Sequence, residues 1–264
     1  ASSVSWGTGN ITSNPLFCDA ASNDYTLAQN SPAAGTGENG ANMGALGVVC
    51  GSMVDDTYWG PFYVSVDGSD ATGDGSAGSP FATIQAGIDA SLGGDTVLVG
   101  PGTYYESIYY NGKQIVVMST GGAASTVIYS TGANVSINNQ EGSDAVLRGF
   151  TLPGDGGNNG VHVGNFATPV LQDLVIYNKD KAVLLGLYSN ISLINVTLSD
   201  NNYGIYMSNQ AIVTLTNSII WSSDNSPIYL ADNDAQISIS YSDILGGEAN
   251  IGGSGTVTWG TGNI

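Results

Sequence analysis

Two sets of short segments recur at the same spacing, and that shared period limits the fold more than any other feature of the chain. The segments VLRGFTLPG, LQDLVIYNK, LINVTLSDN, LTNSIIWSS and ISYSDILGG start at residues 146, 171, 193, 215 and 239, at intervals of 25, 22, 22 and 24. A second set, GVHVG, AVLLG, GIYMS and PIYLA, starts at residues 160, 182, 204 and 227, at intervals of 22, 22 and 23. A fixed period in the twenties with several short strands per repeat is the signature of a solenoid. The leucine-rich alternative requires a Leu-x-x-Leu-x-Leu pattern that these segments lack. Each repeat therefore reads as one coil of a parallel β-helix, with Val, Ile and Leu turned inward and Ser, Thr, Asn and Asp outward. At about 4.8 Å per coil, eight to ten coils make a rod of about 40–50 Å.

One segment departs from the β pattern. In FATIQAGIDASLGG, Phe81, Ile84, Ile88 and Leu92 recur at spacings of three and four, which predicts an amphipathic helix. Ser79 is its expected N-cap, Pro80 its first residue and Gly93 its end. The expected fold is all-β, a parallel β-helix with one short helix near its start.

The segment YVSVDGSDATGDGSAGSPFATIQAGIDASLGGDTVLVGPGTYYESI resembles the entry of right-handed parallel β-helix proteins, the pectin lyase-like group with many extracellular bacterial members. The resemblance covers residues 62–264 and implies that the helix caps the first coil. Residues 1–50 resemble the far end of such helices, through an NPLF-D strand, a YTL…SPA turn and an MGALG finish. End-cap thus precedes start-cap, which predicts residues 1–50 as the last coil and cap of a preceding unit, 51–60 as linker and 61–264 as the next unit.

A second repeat supports that division. Residues 4–11, VSWGTGNI, match residues 257–264, VTWGTGNI, at seven of eight places. The shift of 253 residues predicts a tandem array cut at an internal frame, or subunits docking end to end. Trp6 and Trp259 are the expected inter-unit contacts, and copies of the same chain the expected partners.

Composition narrows the function. The net charge is −18, with only four basic residues, Lys113, Arg148, Lys179 and Lys181. Nucleic-acid binding, which depends on basic patches, is not expected, and polyanionic substrates are disfavoured unless a metal ion intervenes. No apolar run approaches the length of a membrane span. The absence of an opening signal peptide suggests a mature or excised segment. Cys18 and Cys50 read either as a disulfide in an extracellular setting or as two free buried thiols. Asn10, Asn134, Asn190 and Asn195 open Asn-x-Ser/Thr sequons and are candidate glycosylation sites. Asp67, Asp70 and Asp74, in a Gly-rich loop, read as calcium ligands or as an acidic turn before the helix.

No catalytic constellation emerges. The resemblance implies paired Asp with Gln and Arg for an esterase, an Arg or Lys base with Asp calcium ligands for a lyase, and Asp, His and Arg-Ile-Lys motifs for a polygalacturonase. Arg148 is the sole arginine and His162 the sole histidine, and neither stands in such a grouping. Asp173 and Asp243 read as turn formers at equivalent places, with Asn195 and Asn217 between them. The expected function is structural and non-enzymatic, an extracellular or cell-surface filament of repeated β-helices. The alternatives are a carbohydrate-binding adhesin module that uses exposed tyrosines, and a polysaccharide lyase or hydrolase. No cofactor is expected beyond calcium.

Overall fold

Strand Asn190–Ile194 shows how the sequence writes a coil. Ile191 and Leu193 are buried, whereas Asn190, Ser192 and Ile194 face outward. The next coil repeats the pattern in register, Ile191 beside Val213 and Leu193 beside Leu215. Two further coils continue it, with Ile237 and Ile239 and then Val257 and Trp259. A slip of one residue would turn every one of these apolar side chains to solvent, so the alternation itself pins the register.

The computed structural model describes residues 17–19, 24–29, 31–35, 40–43, 47–50, 61–221 and 225–264. Trp6, Asn10 and the expected linker 51–60 lie outside these residues. The chain divides into two compact units, Ala1–Tyr58 and Trp59–Ile264. In the first, Asp24–Ala28 is the central strand of a three-stranded sheet. It pairs antiparallel with Phe17–Asp19 and parallel with Val48–Cys50. A disulfide joins Cys18 to Cys50, with their Cα atoms 5.9 Å apart.

The second unit is the β-helix. Each full coil contributes one strand to each of three parallel sheets, called A, B and C in the order the chain visits them, and the first and last coils contribute to sheet A alone. One coil runs Asn190–Ile194 in A, Thr197–Ser199 in B and Tyr203–Met207 in C. Sheet A has nine strands, sheets B and C seven each. The fold is thus a solenoid of about nine coils, with one continuous apolar core between the sheets.

From strand Val146–Arg148 onward the turn from A to B is two residues long, and its first residue has a left-handed backbone in coil after coil: Gly149, Asp173, Asn195, Asn217 and Tyr241. Asn and Asp tolerate this conformation best after Gly. Two sequence expectations change here. Leu147, not Val146, pairs with Leu171, so the first interval is 24 residues. Tyr241, not Asp243, completes the column begun by Asp173, because the register places Asp243 beside Ile219 in sheet B.

The helix spans Ile84–Ala90, shorter than its periodicity predicts. Its N-cap is Thr83, whose hydroxyl accepts from the Ala86 amide at 3.2 Å, and its C-cap is Ser91. Ser79 and Pro80 precede it because Phe81 is held extended, exchanging backbone hydrogen bonds with Tyr63 and Ser65. Leu92 is exposed beyond the helix end. The second coil clamps both helix termini. Glu106 accepts from the amides of Ile84 and Gln85 at 2.8 and 3.0 Å. The Lys113 ammonium donates to the carbonyls of Ile88, Asp89 and Ser91 at 2.7–2.8 Å. An anion at the N-terminus and a cation at the C-terminus match the helix dipole. The Gln85 amide also pairs with the backbone of Tyr109, in the first strand of sheet C, and so occupies an edge that would otherwise be open to other strands.

Candidate functional site

The A-to-B turn carries a groove of about 460 Å³. Along its wall, one residue per coil, stand Arg148, Asp173 and Asn195. Arg148 ends its strand one place before the left-handed column, and the next two coils supply the other two residues. Arg148 Nε donates to Asp173 Oδ2 at 2.8 Å, and Asn195 Nδ2 donates to Asp173 Oδ1 at 2.7 Å. The sequence showed nothing gathered around Arg148, yet the coils bring it Asp173, 25 positions away, which in turn accepts from Asn195, 22 positions further on. Both carboxylate oxygens of Asp173 are thereby engaged. Val175 and Thr197 of sheet B complete the near side of the groove.

The outer face of sheet C carries an aromatic cluster. Tyr206 stacks on Tyr229 at 5.4 Å between centroids, and Tyr203 meets Tyr206 edge-on at 5.3 Å. The Lys181 ammonium lies 5.7 and 5.3 Å from the centroids of Tyr203 and Tyr206, close enough for cation–π attraction. Lys181 also pairs with Asp180, which accepts from Asn202 Nδ2 at 2.8 Å. Burial pushes the Asp180 carboxyl up, but the hydrogen bonds from Lys181 and Asn202 outweigh it and hold its pKa below the ordinary value. His162 stands two coils before Tyr206 on the same face, and partial burial lowers its pKa. Among the described residues no three His, Cys, Asp or Glu side chains are grouped as metal ligands.

The other sequence candidates fall as follows. Asp67, Asp70 and Asp74 are not gathered together. Asp70 spends its carboxylate on the helix entry, accepting from the amides of Ala82 and Thr83 and from the Thr83 hydroxyl. Asp74 accepts from the Ser76 amide, and the Asp67 amide donates to the Ser65 hydroxyl. Asn134 requires correction as a glycosylation candidate, because it is fully buried and its amide donates to the Ile128 carbonyl at 2.8 Å. Asn190 and Asn195 are exposed. Of the tyrosines near the first long strand, Tyr104 and Tyr110 are buried and Tyr105 and Tyr109 exposed, as strand alternation expects. Phe166 and Tyr188 form an exposed stacked pair at 5.0 Å. Trp259 is half-buried against the core end.

A family model described as "Right handed beta helix region" matches residues 125–257, just over half of the chain. The chain belongs to the right-handed β-helix family. A solved member of the pectin lyase-like fold, named as a rhamnogalacturonan lyase, superposes on this β-helix with a TM-score of 0.50 and 12% identity. The likeness covers 69% of this chain and 67% of that one, and at this identity it is a likeness of fold. No curated protein matches the chain. β-Helices with and without catalytic sites share one backbone, so membership leaves chemistry to the side chains.

Proposed function

We propose that this chain is a non-catalytic structural unit of an extracellular array of β-helices. One observation carries the reading. Thr256–Trp259 is the ninth strand of sheet A, in register on Gln236–Ser240, with Val257 and Trp259 packed on the core. VTWGTGNI is therefore a coil sequence, and seven of its eight residues recur at residues 4–11. A coil sequence written twice at a shift of 253 residues fits units repeated in tandem or docked end to end. The Cys18–Cys50 disulfide suits an oxidising compartment, and among the described residues no helix is long and apolar enough to cross a membrane. Copies of the same chain are the partners this reading requires.

Negative-stain microscopy of the native material tests it. Strings or filaments whose axial repeat equals one β-helix length are expected, and uniform separate particles would overturn the array. The non-catalytic part is tested by incubating the full chain with acidic polysaccharides and calcium. No turnover is expected. Turnover that an Arg148→Ala variant abolished would instead place a catalytic centre in the groove.

A further inference from the structure

Over five consecutive coils in the middle of sheet B, between a rung of Thr103 and Tyr105 and one that carries Asp243, the outer face alternates in chemistry. Each of these five strands turns two side chains outward, and register stacks these into two columns. In one coil they are Val127 and Tyr129, two coils on Val175 and Tyr177, and two further on Ile219 and Trp221. The coils between present Thr151 with Pro153 and Thr197 with Ser199. Parallel pairing places all five rungs in line. Rungs of one aliphatic and one aromatic side chain therefore alternate with rungs bearing hydroxyls. The aromatic rungs recur every two coils, about 10 Å. Tyr177 and Trp221 are 38% and 49% exposed, far more than a core role would leave them.

We propose that this face binds an extended, uncharged β-1,4-linked polysaccharide laid along the solenoid axis. In such a chain successive sugars are flipped, so every second ring presents the same face, at a spacing close to that of the aromatic rungs. Sugar rings stack on Tyr129, Tyr177 and Trp221 through their apolar faces, and the intervening threonines meet hydroxyl groups. The face is continuous with the groove, since Val175 and Thr197 belong to both. Arg148, Asp173 and Asn195 thus form a polar wall beside the track, offering one hydrogen-bonding side chain per coil. Charge selects a neutral chain: the five rungs carry no ionisable group other than tyrosine hydroxyls, the protein is strongly acidic, and Asp173 already neutralises Arg148. This proposal is independent of tandem assembly.

Calorimetric titration of the full chain tests it, with cellohexaose as the probe. Cellohexaose is expected to bind at least about tenfold tighter than cellotriose, which spans fewer rungs, or maltohexaose, whose α-linkage curves the chain away. Tyr177→Ala and Trp221→Ala are each expected to weaken binding about tenfold. Trp221→Phe retains it and guards against a folding defect, and Tyr206→Ala on sheet C leaves it unchanged. Absence of cellohexaose binding, equal affinity for maltohexaose, or affinity untouched by Trp221→Ala would overturn the proposal. Self-association abolished by Trp221→Ala would also overturn it, by making this face a contact between copies.

Discussion

Lys179 is 1% exposed, and its ammonium has no hydrogen-bond partner. Its aliphatic stem runs beneath Gly154, where a Cβ would come within 2.5 Å of the Lys179 side chain. Its backbone amide is held by Asn201, which also donates to the Ile176 carbonyl at 3.0 Å. The site thus fixes a lysine backbone while leaving its charge unpaired. Burial lowers the Lys179 pKa, and the Asp155 charge opposes that shift. Between the lowered folded value and the ordinary 10.5 the unfolded chain holds more protons, so stability rises with pH across that window. Lys179→Met is expected to stabilise the β-helix by about 1–3 kcal/mol near neutral pH. Its advantage should shrink as pH climbs toward 10.5. Denaturant titrations of both proteins at several pH values check the sign and the window. The sequence marks Lys179 only as one of four basic residues. What it missed is that the B-to-C turn points this position inward, as it does Asn201 one coil later.

The capping helix shows how an element depends on residues outside itself. Spacing of Ile84 and Ile88 announced it, but its limits were set by residues outside it, Asp70 and Phe81 of its own coil at the start and Lys113 of the next coil at the end. With seven residues it is too short to be stable alone, so these clamps hold it in place. Lys113→Met removes three charge-assisted hydrogen bonds to terminal carbonyls and is expected to cost about 1–3 kcal/mol. Amide exchange should then quicken first at Gly87–Ser91, while the central coils keep their protection. Uniform loss of protection along the solenoid would show instead that the clamp contributes to the global fold. The strands present the converse case. Their inward and outward positions were legible from alternation, and the period placed most coils correctly. The first was misaligned by one residue because Val146 and Leu147 are both apolar, and only pairing with Leu171 distinguishes them.

Across the whole molecule, the two units are held by different means. The β-helix has a continuous core and stacked sheets, whereas the strands of the first unit are tied by one disulfide across a separation of 32 residues. Closing a loop of that length is worth about 3–4 kcal/mol in the chain-entropy model. Reduction is therefore expected to expose amides in Asp24–Ala28 and Val48–Cys50, and to leave those in Asn190–Ile194 and Ile212–Thr216 protected. Exchange measured by mass spectrometry with and without reductant reads both at once. What the sequence determined alone was the solenoid: its period and the facing of its strands, both of which follow from one-dimensional spacing. Only the tertiary structure decided which side chains meet across coils. Arg148 finds Asp173, Tyr206 finds Tyr229, and the rungs of sheet B alternate because turn lengths and strand register bring residues 22–25 positions apart into columns about 4.8 Å apart. A shift of one residue would exchange every outward neighbour for an inward one.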